Sequence, residues 1–216
     1  SLTDLYLPTA IPRRGNWTEA FRQVGTAVTD GCNFHLGSLD FTGTTSSYSM
    51  SNLFAFSRIN PSSDLTDWNF GSNAIKTSNA SYMFRDVALT GVNSTLDISG
   101  WSTFNAENCT GMFYGANRSA NIAAASGITI EEYSLDISNL NTSSCTSLLS
   151  MFSNTGTSDS LGLKAITGLS TLPASSTVTT METFMAYQPK LALSASDNFS
   201  DAFMNSIAPT SLYLFF

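Results

Sequence analysis

The spacing of apolar and polar residues changes within the stretch from Leu96 to Phe113. Around Leu96, Asp97 and Ile98, apolar and polar residues alternate, which is typical of a half-buried β-strand. From Ala106 to Phe113 the apolar residues return every three or four positions, which predicts one apolar stripe along a short helix. The stretch is therefore predicted to form one short strand followed by one short helix.

The same unit recurs along the chain. A second copy from Leu135 to Phe152 has the same length as the first, and each predicted copy closes on an apolar residue that follows another by four positions. Such a unit cannot bury its apolar face alone and must stack on its neighbours. We therefore predict an α/β repeat protein, a leucine-rich-repeat-like right-handed solenoid with a short strand and a short helix in each of about seven rungs. The closing residues, predicted to point into one core, are Phe21, Phe54, Phe84, Phe113, Phe152, Met185 and Phe203.

The two clearest copies resemble the BspA-like leucine-rich repeats of bacterial surface proteins. Repeats of that family open on a Leu-Asp-x-Ser strand and close on Met-Phe, as the stretches Leu96 to Phe113 and Leu135 to Phe152 do. Partial copies close near Phe84 and Met185, so the resemblance covers about residues 39–190. It implies a solenoid fold and a function among secreted adhesins or related surface proteins.

The chain is predicted to be one structural domain with three parts. Residues 1–38 form an N-terminal capping rung with a short helix over Asn16 to Val24, and residues 39–190 form the BspA-like repeat solenoid. Residues 191–216 form an abbreviated last rung and a C-terminal strand, Leu212 to Phe216. Because this strand is too apolar to be left in water, we expect it to pair with the last coil or with another chain.

Composition limits the classes of function. Charged and aromatic residues each make up 12% of the chain, which is a poor composition for a disordered protein. The formal net charge is −7 and the nine Lys and Arg residues are scattered apart from Arg13 and Arg14, so nucleic acid is not an expected partner. Membrane insertion is not expected either, because no apolar run approaches the ~20 residues that span a bilayer. The N-terminal residues show no signal-sequence pattern.

Cysteine and histidine do not form a predicted catalytic or metal site. Cys32, Cys109 and Cys145 are too scattered for a zinc site. Cys109 and Cys145 fall at core positions of successive units, so buried thiols are predicted, with a disulfide between them as the alternative. His35, the one histidine, lies in no nucleophile motif, so a packed or surface histidine is predicted. We therefore expect no enzyme activity and no cofactor.

Two recurring polar patterns have structural interpretations. Asp40, Asp97 and Asp136 share one repeat position, where neighbouring strands lie about 4.8 Å apart. Such carboxylates either lie in water or bind a cation, and Ca²⁺ is the alternative to ordinary repeat chemistry. The Asn-x-Ser/Thr sequons are interpreted as a result of composition, and would carry glycans only on a eukaryotic secretory route. They begin at Asn16, Asn79, Asn93, Asn108, Asn117, Asn141 and Asn198.

These observations predict a non-catalytic structural and binding protein displayed on a surface. We expect a virion component, such as a phage decoration or fibre protein that mediates assembly or attachment. The alternative is a secreted cell-surface adhesin of the BspA-like class. The expected partners are other protein subunits of a larger assembly or a host-surface receptor, because loops on a rigid scaffold usually carry recognition. The candidate interface residues are Tyr114, Arg118, Leu212, Tyr213, Leu214, Phe215 and Phe216.

Overall fold

Short parallel strands make up the regular structure of the chain. The computed structural model describes residues 2–7, 16–27, 30–36, 39, 41, 48–66, 68–70, 77–90, 94–101, 104–116, 132–153, 162–172, 177–186, 191, 199 and 201–206. The strands within these residues are β1 (Asp4–Tyr6), β2 (Asn33–His35), β3 (Tyr48–Ser49), β4 (Arg58–Ile59), β5 (Thr77–Asn79), β6 (Ala88–Leu89), β7 (Thr95–Asp97), β8 (Glu132–Asp136) and β9 (Gly162–Thr167). A 3₁₀-helix, Leu169–Thr171, and one short α-helix, α1 (Asp201–Ser206), complete the described elements.

Each strand pairs in parallel with a strand from another coil of the chain. The pairs are β1 with β2, β3 with β5 and β4 with β6, and β7, β8 and β9 form one continuous sheet. In that sheet Leu96 lies opposite Leu135, which lies opposite Ile166. Parallel neighbours need a long connection between them, and here that connection is one coil of the chain. The fold is a parallel β-solenoid with about three turns of paired strands.

The predicted helix is wrong for the rungs that close on Phe21, Phe54, Phe84 and Phe113, whereas α1 contains Phe203, the predicted closing residue of the last rung. The segments 18–27, 51–56, 81–86 and 110–116 are runs of turns, and the first of them lies in the stretch that was predicted to form the capping helix. Within them an N–H donates to the carbonyl three residues earlier, as Leu53 does to Met50 at 3.2 Å. The fold is therefore a β-solenoid with very little helix, and neither the α/β class nor seven rungs is supported.

Left-handed backbone conformations explain why these segments are turns. Asn52 and Phe56 have φ of 54° and 61°, and Tyr82 and Asp86 repeat the pattern one coil later at 56° and 51°. A left-handed residue at every fourth position reverses the chain and prevents a continuous helix, which L-residues form only with negative φ. Every second peptide group is then oriented so that its N–H donates a hydrogen bond to a carbonyl of the next coil.

These bonds form a second ladder beside the strands. The N–H groups of Met50, Asn52, Phe54 and Phe56 donate to carbonyls of the following coil at 2.8–3.0 Å. The pattern repeats from coil to coil, and we call the stacked segments the turn ladder. Its segments are residues 17–24, 50–57, 80–87, 109–116, 147–153 and 180–186.

The turn ladder stacks aromatic rings through one core. The ring centroids of Phe54 and Phe84 are 5.2 Å apart, and those of Phe84 and Phe113 and of Phe113 and Phe152 are 5.4 Å apart, with the rings within 5° of parallel. Beside this column Trp68 stacks on other aromatic rings of the same core. The seven predicted closing residues are all buried, from Phe21 at 6% exposure to Phe203 at 0%.

Candidate functional site

Of the predicted interface residues, the structure describes only Tyr114. Tyr114 is half-buried in the turn ladder, where the Tyr82 ring packs against it with the centroids 6.4 Å apart. Arg118 and the tail from Leu212 to Phe216 lie outside the described residues. Their assignment to an interface stays a prediction.

Arginine and aromatic side chains form a ridge on the outer face of the turn ladder. The guanidinium carbons of Arg22 and Arg85 lie 5.4 and 5.3 Å from the centroid of the Phe56 ring, and that of Arg85 lies 5.4 Å from the Tyr82 ring. Each guanidinium over a ring contributes about 0.5–1 kcal/mol at an exposed site. With Tyr114, these residues are called the arginine–aromatic ridge.

The ridge is locally neutral and still accessible. Arg22 donates to a carboxylate oxygen of Glu19 at 3.3 Å, and Arg85 Nε donates to a carboxylate oxygen of Asp86 at 3.2 Å. The side chains of Arg22 and Arg85 are each 40% exposed, whereas that of Asp86 is 1% exposed. The buried carboxylate orients Arg85, and both arginines keep surface available for a partner.

Two glycines make room for the ridge, and sequence reasoning missed them. Gly111 and Gly115 have φ of 55° and 66°, the same left-handed conformation as Tyr82 and Asp86 in the preceding segment. A Cβ atom on Gly111 would lie 2.4 Å from Tyr82 Cε1, and one on Gly115 would lie 2.3 Å from Asp86 Oδ1. The signal in the sequence was the four-residue spacing of these glycines, which matches the spacing of the left-handed residues.

The asparagines of the described sequons have a structural role, and the interpretation of the sequons as a result of composition stays a prediction. The side-chain oxygen of each Asn accepts from the N–H two residues later, and Asx turns of this kind are ordinary turn chemistry. The following hydroxyl groups then bond from coil to coil, as Thr110 does with Ser147 at 2.7 Å. The four bonded pairs are Asn16 with Thr18, Asn79 with Ser81, Asn108 with Thr110 and Asn141 with Ser143, at 2.9–3.0 Å.

The recurring aspartates have the same turn role. Asp97 and Asp136 lie opposite each other in β7 and β8, and each accepts from the N–H of a serine two residues later, at 2.9 and 3.0 Å. Asp40 lies outside the described residues. Within the part of the chain that the structure describes, no group of three or more His, Cys, Asp or Glu residues could hold a metal ion.

The cysteines are buried free thiols. The Sγ atoms of Cys109 and Cys145 are 2.6 Å apart, and Cys145 also donates to the carbonyl of Ala106 at 3.1 Å. The hydrogen bond with Cys109, together with burial, raises the pKa of the Cys145 thiol well above its usual range. Burial likewise raises the pKa of Cys32. A raised pKa favours the protonated thiol, which is a poor nucleophile, at Cys32 and Cys145.

His35 ties the first strand to the second. Its Nε2 lies 3.1 Å from Asp4 Oδ1, and its ring stacks on Tyr6 with the centroids 4.1 Å apart. The hydrogen bond to His35 lowers the pKa of the Asp4 carboxyl. These contacts join β1 to β2 side by side and are structural.

No helix among the described residues has the length and apolar character needed to cross a membrane.

The protein is a parallel β-solenoid repeat protein. Its coils stack on one another with aromatic rings inside and with hydroxyl, aspartate and arginine side chains outside. Residues 26–160 match the family described as Mycoplasma protein of unknown function, DUF285. Because the match covers more than half of the chain, the chain belongs to this family. No curated protein and no solved structure shows a significant match to it.

Proposed function

We propose that the chain is a non-catalytic structural and binding protein, displayed on a surface, that recognises another protein through the arginine–aromatic ridge. The ridge is the observation that carries the proposal. Tyrosine and arginine are enriched among the few residues that dominate binding energy at protein interfaces. Here Tyr82, Tyr114 and two arginines lie together on one outer face.

The solenoid supports the proposal by holding these side chains in place. The peptide groups beneath the ridge are bonded to the next coil, as Phe56 N–H is to the carbonyl of Arg85 at 2.8 Å. The phenylalanine column packs directly inside them. Binding at a rigid surface costs less conformational entropy than binding at a loop that must become ordered. The same contacts therefore yield a higher affinity.

Two surfaces suit this role. The first is a virion, where a decoration or fibre protein mediates assembly or attachment. The second is a cell surface, where the chain acts as a secreted adhesin of the BspA-like class. The resemblance of Leu96 to Phe113 to BspA-like repeats favours the second, as does the family description, which names a cellular organism. Immunogold labelling of intact cells and of purified particles distinguishes the two.

The ridge is tested by cross-linking the chain in its native assembly and identifying the neighbouring protein by mass spectrometry. The affinity of that protein for the purified chain is then measured by calorimetry. Arg22→Ala should weaken binding about thirtyfold, as expected for an interface arginine that contributes about 2 kcal/mol. Lys164→Ala is the matched control, because it removes one positive charge from an exposed position on β9. Equal affinities for Arg22→Ala and the control would show that the ridge is not the binding surface.

A further inference from the structure

Two of the three cysteines lie side by side on neighbouring coils. The Sγ atoms of Cys109 and Cys145 are 2.6 Å apart, although the two residues are 36 positions apart in the sequence. Both side chains are completely buried in the core. The third cysteine, Cys32, is bridged to Ile59 in another part of the solenoid. The fold therefore brings one pair of thiols together and keeps the third thiol apart from it.

Backbone hydrogen bonds hold the two coils together beside each cysteine. The N–H of Cys109 donates to the carbonyl of Ser147 at 3.0 Å. The N–H of Thr146, next to Cys145, donates to the carbonyl of Glu107 at 2.8 Å. These bonds fix the coils in register without any contribution from the thiols. The stacking of the solenoid alone therefore places the two sulfur atoms against each other.

The separation of the two sulfur atoms is close to that of a bonded pair. Sulfur atoms in a disulfide are about 2.05 Å apart, so a shift of about half an ångström would join them. Non-bonded carbon atoms pack at about 3.5–4.0 Å, and sulfur atoms are larger. Two separate thiols are therefore crowded at 2.6 Å, whereas a covalent bond accounts for their approach.

We propose that Cys109 and Cys145 form a disulfide that joins two coils of the solenoid. The oxidant is a second disulfide, either a small one such as glutathione disulfide or that of an oxidoreductase. One cysteine thiolate attacks the oxidant, releases one thiol and forms a mixed disulfide. The other cysteine then attacks the chain's sulfur in the mixed disulfide and releases the second thiol. The two cysteines lose two protons and two electrons, and the oxidant becomes two thiols.

Burial determines when the bond forms. Both cysteines are 0% exposed in the folded chain, so an oxidant in solution does not reach them there. Thiol–disulfide exchange requires access to the attacking and attacked sulfur atoms. The first exchange therefore takes place while the chain folds, before the coils close over the thiols, and stacking then brings the second thiol to the mixed disulfide. Once formed, the bond is shielded from reductants by the same core.

The disulfide would act as a staple between successive coils. It lies beside the phenylalanine column and closes a loop of 36 positions, which restricts the unfolded chain and so stabilises the folded one. Bonds of this kind form and persist in oxidising environments outside the cytosol. The staple is separate from the arginine–aromatic ridge and goes beyond the proposed function.

The test is to refold the 216-residue chain from denaturant, once with a mixture of reduced and oxidised glutathione and once with excess reductant. Free thiols are then counted in denaturant by iodoacetamide labelling and intact mass spectrometry. Oxidative refolding should leave one labelled cysteine, and reductive refolding should leave all three. Peptide mapping should join the peptides of Cys109 and Cys145. The oxidised form should unfold at a temperature roughly 10 °C higher than the reduced form.

Cys32→Ser is the matched control, and it should keep both the cross-link and the higher unfolding temperature. Cys145→Ala should lose both, and its unfolding temperature should no longer depend on the redox mixture. Three labelled cysteines after oxidative refolding, or a cross-link that includes Cys32, would overturn the proposal. Equal unfolding temperatures of the two wild-type forms would overturn the staple. If Cys145→Ala fails to fold, labelling of the wild type and of Cys32→Ser still decides. Partner binding by the ridge enters none of these measurements, so either proposal can fail alone.

Discussion

Gly111 shows how one residue type allows neighbouring coils to stack. Its left-handed φ of 55° is a conformation that L side chains rarely adopt, and the Tyr82 ring occupies the space of its missing Cβ. Tyr82, Ser150 and Thr183 hold the same backbone conformation at the equivalent position without being glycine. The requirement for glycine therefore comes from the neighbouring side chain as much as from the backbone.

Gly111→Ala should lower the free energy of unfolding by about 1–3 kcal/mol, since it adds backbone strain and displaces Tyr82. Urea denaturation followed by circular dichroism measures the loss. Thr95→Ala, at an exposed strand position, is the control and should change stability by less than about 0.5 kcal/mol. An equally small effect at Gly111 would mean that the ring moves aside freely.

The contact between Asp4 and His35 should make the first strand sensitive to acid. Because the pKa of Asp4 is lowered in the folded state, its contribution to stability is present above the usual aspartate pKa and is lost as pH falls through the lowered value. Thermal unfolding of Asp4→Asn and of the wild type should therefore differ at neutral pH and converge at strongly acidic pH. A difference that persists in strong acid would exclude this carboxylate as its cause.

Cys145 should resist alkylation while the protein is folded. Its raised pKa keeps it protonated and its side chain is fully buried. Iodoacetamide at mildly alkaline pH should label none of the cysteines in the native protein within minutes and all of them in denaturant, as measured by intact mass spectrometry. Rapid labelling of Cys145 in the native protein would contradict its burial. Failure to label Cys109 and Cys145 in denaturant without reductant would favour the disulfide.

At the scale of elements, the sequence predicted the solenoid but not the local conformation. A helix and a run of linked turns both return apolar residues every three or four positions, so Cys109 and Phe113 point inward in either case. A helix and a run of turns differ in the acceptors of their N–H groups. Here the acceptors lie on another coil, about 30 residues away along the chain. That partner is not visible in a local pattern. The glycine spacing from Gly111 to Gly115 and the Asn-x-Ser/Thr turns were the local signals of turns.

The candidate site was predictable only in part, for a similar reason. Tyr114 was singled out from the sequence as a loop residue, but Arg22, Phe56 and Arg85 lie far apart along the chain. They become neighbours only when the coils stack in register. No spacing within one repeat indicates that two arginines share one ring.

Phe113→Ala should cost about 3–5 kcal/mol of unfolding free energy, as expected for truncation of a buried phenylalanine. Its ring contacts Phe84 and Phe152, so the damage should spread to both neighbouring coils. Chemical denaturation measures the total, and hydrogen exchange locates the affected coils. Phe56→Ala, on the outer face, is the control and should cost less. A loss below about 1 kcal/mol at Phe113 would show that the column does not stabilise the solenoid.

At the scale of the molecule, the predicted role of the C-terminal tail remains to be tested. Deleting residues 211–216 should abolish incorporation into the native assembly and leave circular dichroism nearly unchanged, because an apolar strand is suited to pair with an open sheet edge. Particle or cell-envelope fractions probed for the truncated chain provide the measurement. Normal incorporation would limit the tail to a cap, and unfolding would assign it to the core.

The parallel orientation of peptide groups through the turn ladder also has an electrical consequence. The groups that end in the N–H of Phe21, Phe54, Phe84, Phe113 and Phe152 form one hydrogen-bonded column. Peptide dipoles of about 3.5 D aligned in this way leave roughly half an elementary charge at each end of an α-helix. Here the negative end is the N-terminal one, the reverse of a helix. Because this moment does not titrate, it persists at the pH where the net charge is zero, with its positive end at the C-terminal end of the column.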